Sequence, residues 1–298
     1  MTSPQLTAFF LRVAPLTFVL FWSSGFIVAR YAAPDADPFT FLVVRCGMTM
    51  VILASIAVAS RAPWPATSRE AGHNMIVGVL IHGGYLGGVW WAIAEGLPAG
   101  ISGLISAAQP LLTALLAAPL LGERVTRRQW LGIVAGFVGI VLVLAPRLSV
   151  VDMAAIGTVA LPMIVNFAAI VSLTLGTFYQ KRFVAGADLR TGTCLQFVGA
   201  LAVVAPLALA TETLRFDVST TLLAALGWSV LVNSMASIAL LLLMIRHGEL
   251  SRVATLIYLV PPLTAIEAFI LFGESLSAVQ VIGMAATAAG VWLATRRA

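Results

Sequence analysis

Stretches of around twenty apolar residues recur along the whole chain, and short polar breaks separate them. As helices rising about 1.5 Å per residue, such stretches are long enough to cross a hydrocarbon core about 30 Å thick. The pattern predicts ten helices, over roughly 12–32, 39–60, 73–95, 99–121, 128–146, 154–182, 189–210, 219–246, 252–272 and 278–295. The longest polar break in the first half, 61–72, carries Pro63, Pro65 and Ser68, and no break is large enough for a soluble domain. The expected fold class is an all-α polytopic membrane protein with ten transmembrane helices.

The pattern also repeats. With an offset of 151, Pro110 falls on Pro261, Leu112-Thr113-Ala114 on Leu263-Thr264-Ala265, Gly122-Glu123 on Gly273-Glu274, and Gln129 on Gln280. The same offset sends Gly25 to Gly176, Ala36-Asp37 to Ala187-Asp188, and Thr40 to Thr191. A fixed offset marks a duplicated unit, here with halves at 1–147 and 148–298. The apolar run behind Arg12 has a repeat partner at 154–182, so it reads as a first span and not as a cleaved signal.

Charge orients the helices. Thirteen of the 17 Lys and Arg residues fall at one set of helix ends, and Arg30, Arg147 and Arg215 at the other. Because basic residues favour the cytoplasmic side, both termini are expected in the cytoplasm. Five helices per half then make the second half enter from the opposite face, giving two inverted-topology repeats, a plan common among secondary transporters. Thr126-x-x-Gln129 and Ser277-x-x-Gln280 read as capping boxes, with Gly122 and Gly273 ending the preceding helices. Glu123 and Glu274 read as part of these hairpins in preference to functional acids.

With 60% hydrophobic and only 10% charged residues, the chain cannot cover a water-facing surface. Its formal charge of +5 is spread over helix ends and forms no patch for nucleic acid. Cys46 and Cys194 both lie within predicted spans and suggest neither a disulfide framework nor a metal site.

A site reached from both faces belongs near mid-membrane, about ten residues into each span. Phe18, Trp22, His82, Tyr85, Gln109, Asn166, Phe167, Asn233 and Tyr258 fall near that depth, and the offset maps His82 onto Asn233. His82, Tyr85, Val89 and Ile93 share one helix face by spacing. Each polar group has a structural alternative as an interhelical bond, and each aromatic as plain packing. Trp64, Trp90, Trp91 and Trp130 lie nearer the interfaces, where most are expected as anchors. Pro110, Pro261 and Pro262 free carbonyls on the preceding turn, which suits either a hinge or a ligand contact. Arg45 and Glu267 lie at similar depth with opposite sign. A buried ion pair is expected, with proton coupling through Glu267 as the alternative. Gly132-x-x-x-Gly136, Gly283 and Gly290 suit close packing of the fifth and tenth helices, or of two copies of the chain.

One enzyme motif is present. Gly100-Ile101-Ser102-Gly103 matches the G-x-S-G of rhomboid proteases, but the one later histidine, His247, falls at the opposite membrane face. A transporter, not an enzyme, is the expectation. No zinc motif, phosphate loop or dinucleotide fingerprint appears, so no cofactor is expected.

These repeated blocks resemble the drug/metabolite transporter superfamily, EamA type. The carrying residues are Trp22 to Phe26, Arg45, Gln109 to Thr113, Leu121 to Arg124, Gln129 to Gly132, Pro261 to Glu274 and Gln280 to Gly283. Within that family the chain is similar to ten-helix exporters of aromatic amino acids. The resemblance implies a ten-helix basket around a central cavity and export of amino acids, aromatic and other neutral ones, across a bacterial inner membrane. Either a monomer or a homodimer is expected. Carriers of drugs, nucleotide sugars or other metabolites share the fold, and fold does not fix cargo. The second half departs from the first at Val260 and Ser275, which replace Gln109 and Arg124, so the halves are expected to contribute unequally.

Overall fold

The computed structural model describes residues 4–97, 99–122, 124–148, 160–247, 254–273 and 275–295. Helices α1 (Pro4–Ala32), α2 (Pro38–Ala59) and α3 (Ser68–Ala94) are followed by α4 (Gln109–Leu121) and α5 (Arg127–Leu148). The second half holds α6 (Ala160–Phe183), α7 (Leu189–Thr211), α8, α9 (Val260–Phe272) and α10 (Ala278–Thr295). Helix α8 runs through Thr220–Trp228, Ser229–Ala236 and Ser237–His247. Among the described residues, eight helices are long and apolar enough to span a membrane, and two shorter apolar ones complete ten. Apolar side chains cover much of the outside, with Leu209 73% and Ile270 70% exposed. That surface suits lipid, and the chain is a membrane-embedded, multi-pass protein.

The fourth and ninth spans are not the continuous helices the apolar pattern suggests. A short helix, Ala99–Ser106, precedes α4, and a 3-10 turn, Leu256–Leu259, leads into α9. Both breaks sit just before proline. Pro110 and Pro261 occupy the first turn of the helix that follows, where a missing N–H costs nothing. The prolines therefore start helices and do not bend continuous ones.

Helix ends follow the sequence closely. Gln129 Oε1 accepts from the Thr126 amide at 2.7 Å, and Gln280 Oε1 from the Ser277 amide at 3.0 Å. Gly122 and Gly273 have φ of 72° and 65°, the left-handed conformation that closes a helix without strain for glycine. Glu123 and Glu274, beside them, lie outside the described residues.

Packing shows the internal symmetry. Helix α2 lies on its counterpart α7, and α5 on its counterpart α10. The α1–α8 and α1–α9 contacts recur as α6–α3 and α6–α4, so each half packs its first helix on the third and fourth helices of the other half. The glycine stripe is used within one chain. A side chain at Gly132 would stand 2.5 Å from Gly290 O, and one at Gly290 2.4 Å from Gly136 N. Helices α5 and α10 thus touch backbone to backbone. Both third helices widen into π-helical turns, at Val79–Leu86 in α3 and Ser229–Ala236 in α8. Such turns recur at functional sites because they rotate side chains and release carbonyls. Ser172 Oγ of α6 donates to one of these, Leu80 O, at 2.8 Å.

Candidate substrate cavity

A cavity of about 430 Å³ lies between α1, α2, α3 and α8. The π turns of α3 bring His82 and Tyr85 to its wall, and Val89 and Ile93 continue the same face. Trp22 and Gly25 come from α1, Arg45 from α2 and Asn233 from α8. The Trp22 and Tyr85 rings stack with centroids 6.5 Å apart, and Trp90 stacks on Phe41 at 5.7 Å. His82 is 5% exposed, lies flat against Phe197 at 4.7 Å, and leaves Nε2 without a protein partner. Asn233 gives Nδ2 to Phe21 O at 2.5 Å and to Ser24 Oγ at 3.1 Å, while its Oδ1 is unpartnered. The site is therefore an aromatic box with two unspent polar atoms among its lining residues, the composition expected of a small-molecule pocket.

The cavity opens where α1 meets α2. Ala33, Ala36, Asp37 and Pro38 line its mouth, with Ala94 and Arg215. A clasp ties this rim together. Ala36 and Phe216 form an isolated β-bridge, the Asp37 amide donates to Arg215 O at 3.0 Å, and the Asp217 amide to Asp35 O at 2.7 Å. Glu212 caps α2 by accepting from the Phe39 and Thr40 amides at 2.6 and 2.7 Å. Burial works to raise the Asp37 carboxyl. The Arg215 amide, the Thr213 hydroxyl and the Arg215 charge outweigh it and hold the group below its ordinary value.

The opposite end is shut by a cluster including Phe18, Phe178, Leu241, Met244, Leu256 and Tyr258. Beneath Trp22 lies a pocket of about 20 Å³, lined also by Gln109, Leu173 and Thr177, with room for one water. Trp22 faces both spaces and forms the floor between them.

Of the nine residues that depth nominates, the structure brings four to the cavity: Trp22, His82, Tyr85 and Asn233. Phe18 is fully buried behind Trp22, its ring 5.2 Å away, and supports that floor. Gln109 belongs to the small lower pocket. Asn166 is fully buried and gives Nδ2 to Ser102 Oγ at 2.7 Å. Phe167 is 47% exposed and away from the lining, and Tyr258 is buried over Gly136, where an added side chain would stand 2.5 Å from its ring. Depth along a helix says nothing about rotation around it, which is why these five are elsewhere. Helices α4, α6 and α9 accordingly do not wall the main cavity. Trp90 does, although its position nearer a helix end marks it for an interface.

Arg45 and Glu267 do not pair. Arg45 Nε donates to Ser234 Oγ at 2.7 Å, and Glu267 Oε1 accepts from Ser23 Oγ at 2.7 Å. Helix α8 packs against both α1 and α2, and Glu267 faces α1 from α9. Similar depth is not proximity in a ten-helix ring. Ser102, the residue of the protease-like motif, is buried at 3% exposure and held by Asn166.

Two interleaved halves around a cavity, built of membrane-length apolar helices, are a plan common among secondary transporters. The chain belongs to the EamA-like transporter family, whose model matches residues 12–145 and again 160–296. It is similar to the probable amino-acid metabolite efflux pump of Salmonella typhimurium strain LT2, at 24% identity over 287 residues, covering 93% of this chain and 92% of that one. The protein of the same description from Escherichia coli K12 is 24% identical over 294 residues, covering 94% and 93%. A crystal structure superposes with a TM-score of 0.82 over 96% of this chain and 98% of the other, at 19% identity, a likeness of fold.

Proposed function

We propose that this protein exports amino acids, neutral and aromatic ones included, or closely similar small metabolites from a bacterial cytoplasm by alternating access. The observation that carries the reading is the cavity itself: aromatic walls, the polar side chains of His82, Asn233 and Arg45 in its lining, one open end and one sealed end. Aromatic and aliphatic side chains would take the cargo's apolar part, and His82 and Asn233 would bond its polar groups. The efflux-pump relatives support the same class. Among the described residues the mouth carries one basic residue, Arg215, and the basic-poor end is external by the charge bias, so this conformer reads as outward-open.

The test is flux from proteoliposomes loaded with labelled amino acids, with and without an imposed proton gradient. Protein-dependent efflux is expected, and its absence for every amino acid would overturn amino-acid export. His82→Ala and Trp22→Ala should each lower flux at least roughly tenfold, as loss of about 1.4 kcal/mol of binding requires, with membrane yield unchanged. Cysteines introduced beside positions 123 and 274 should react from opposite compartments. Reaction from one compartment would overturn the inverted arrangement.

A further inference from the structure

Arg45 is 9% exposed in the middle of a membrane-spanning helix, and what exposure it has is on the cavity wall. Its side-chain bond runs from Nε to Ser234 Oγ, and no acidic side chain pairs with it among the described residues. Glu267, the carboxylate of matching depth, is held by Ser23. The other cation lining the cavity, Arg215 at the mouth, is engaged by Asp37, Asp217 and the Ala33 and Pro34 carbonyls. A guanidinium offers five N–H donors in a planar fork. Anchoring Nε on Ser234 fixes that plane and leaves the two terminal nitrogens for a ligand. A charge in this position is costly without an anionic partner, and the described residues supply none.

We propose that Arg45 is the anchor for the carboxylate of the cargo, through a two-pronged contact from its terminal nitrogens. This rests on the reading of the protein as a carrier of amino acids and narrows it. Arg45 lies close enough to His82 and Tyr85 for its charge to act on both. A carboxylate there places the attached body between Trp22, Tyr85, Val89 and Trp90. Among the described residues the same walls present no carboxylate at that depth to meet an ammonium group; Asn233 Oδ1 and the Tyr85 hydroxyl are the neutral groups there. Recognition therefore depends on the acid end of the cargo more than on its amino end. One guanidinium between aromatic walls suits a monoanionic carboxylate, and a phosphate would ask for further cations.

The experiment compares three probes of one shape on the purified, unaltered protein: phenylalanine, phenylalaninamide and 3-phenylpropionate, titrated against its tryptophan fluorescence and as competitors of labelled phenylalanine efflux. Phenylalanine and 3-phenylpropionate should bind within a few-fold of each other. Phenylalaninamide should bind roughly tenfold to hundredfold more weakly, the range of a charge-assisted hydrogen bond. Arg45→Gln should erase that discrimination. Equal binding of phenylalanine and its amide to the unaltered protein overturns the carboxylate anchor and leaves amino-acid export standing. Binding of none of the three overturns both. An Arg45→Gln protein that folds and still discriminates against the amide also overturns the anchor.

Discussion

In α3 the widened turns at Val79–Leu86 carry His82 and Tyr85 onto the cavity wall. In α8 the corresponding turns at Ser229–Ala236 carry Asn233, which reaches the wall but gives Nδ2 to α1, and Ser234, which is spent on the scaffold. Asn233 ties α8 to α1, and Ser234 holds Arg45 of α2. The offset that maps His82 onto Asn233 also maps Arg45 onto Gln196, which faces His82 from α7. Two symmetric positions thus hold a cation beside a serine in one half and an amide beside an imidazole in the other. Duplication built a symmetric frame, and side-chain divergence made the pocket within it polar on both sides but charged on one. A frame needs backbone geometry that many sequences supply. A site needs particular atoms, and those are free to diverge between the halves.

This contrast is open to attack, and the hardest blow falls on close packing. A side chain at Gly78, one residue before the α3 π turns, would meet Gln196 O at 1.8 Å, whereas Gly227 of α8 has open space around it. Gly78→Ala should destabilise by roughly 3 kcal/mol, the upper range for overpacking, while Gly227→Ala should stabilise by about 0.8 kcal/mol from helix propensity. Thermal unfolding in detergent checks both, and equal effects would erase the difference between the two helices.

Next come the two π-turn side chains. Asn233→Ala removes the bonds from α8 to Phe21 O and Ser24 Oγ of α1 and should cost about 1 kcal/mol, visible as a lower Tm with residual flux in the molecules that remain folded. His82→Ala should instead lose flux more than stability. The reverse pattern would mean that α8, not α3, forms the working wall.

A smaller effect is expected at the closed end. Asp188 caps α7 by accepting from the Arg190 amide at 2.9 Å, and the Arg190 side chain holds its carboxyl down to about 2. A depressed carboxyl stabilises the fold above the ordinary carboxylate range, and the contribution is lost as the pH falls toward its folded-state value. Asp188→Ala should therefore cost about 1 kcal/mol at neutral pH, and the gap to the unaltered protein should narrow between roughly pH 4 and 2. The smallest change is Ser277→Ala in the second capping box, about 0.5 kcal/mol. Thr126→Ala in the first should match it, since both boxes make the same pair of bonds.

The sequence alone determined the ten spans, their internal repeat, the capping boxes and the left-handed glycines. Hydropathy acts over a whole helix, and turn chemistry acts within four residues, so neither needs the rest of the molecule. It also put His82, Tyr85, Val89 and Ile93 on one face, because spacing along a single helix is local. Only the tertiary structure decided which face of each helix looks inward. That sent Phe167 outward, buried Asn166 and Tyr258 in packing, and gave Arg45 a serine in place of Glu267. The physical reason is that rotation and neighbour are fixed by how backbones meet, at glycines such as Gly78, Gly132 and Gly290, and by π turns that no local pattern announces.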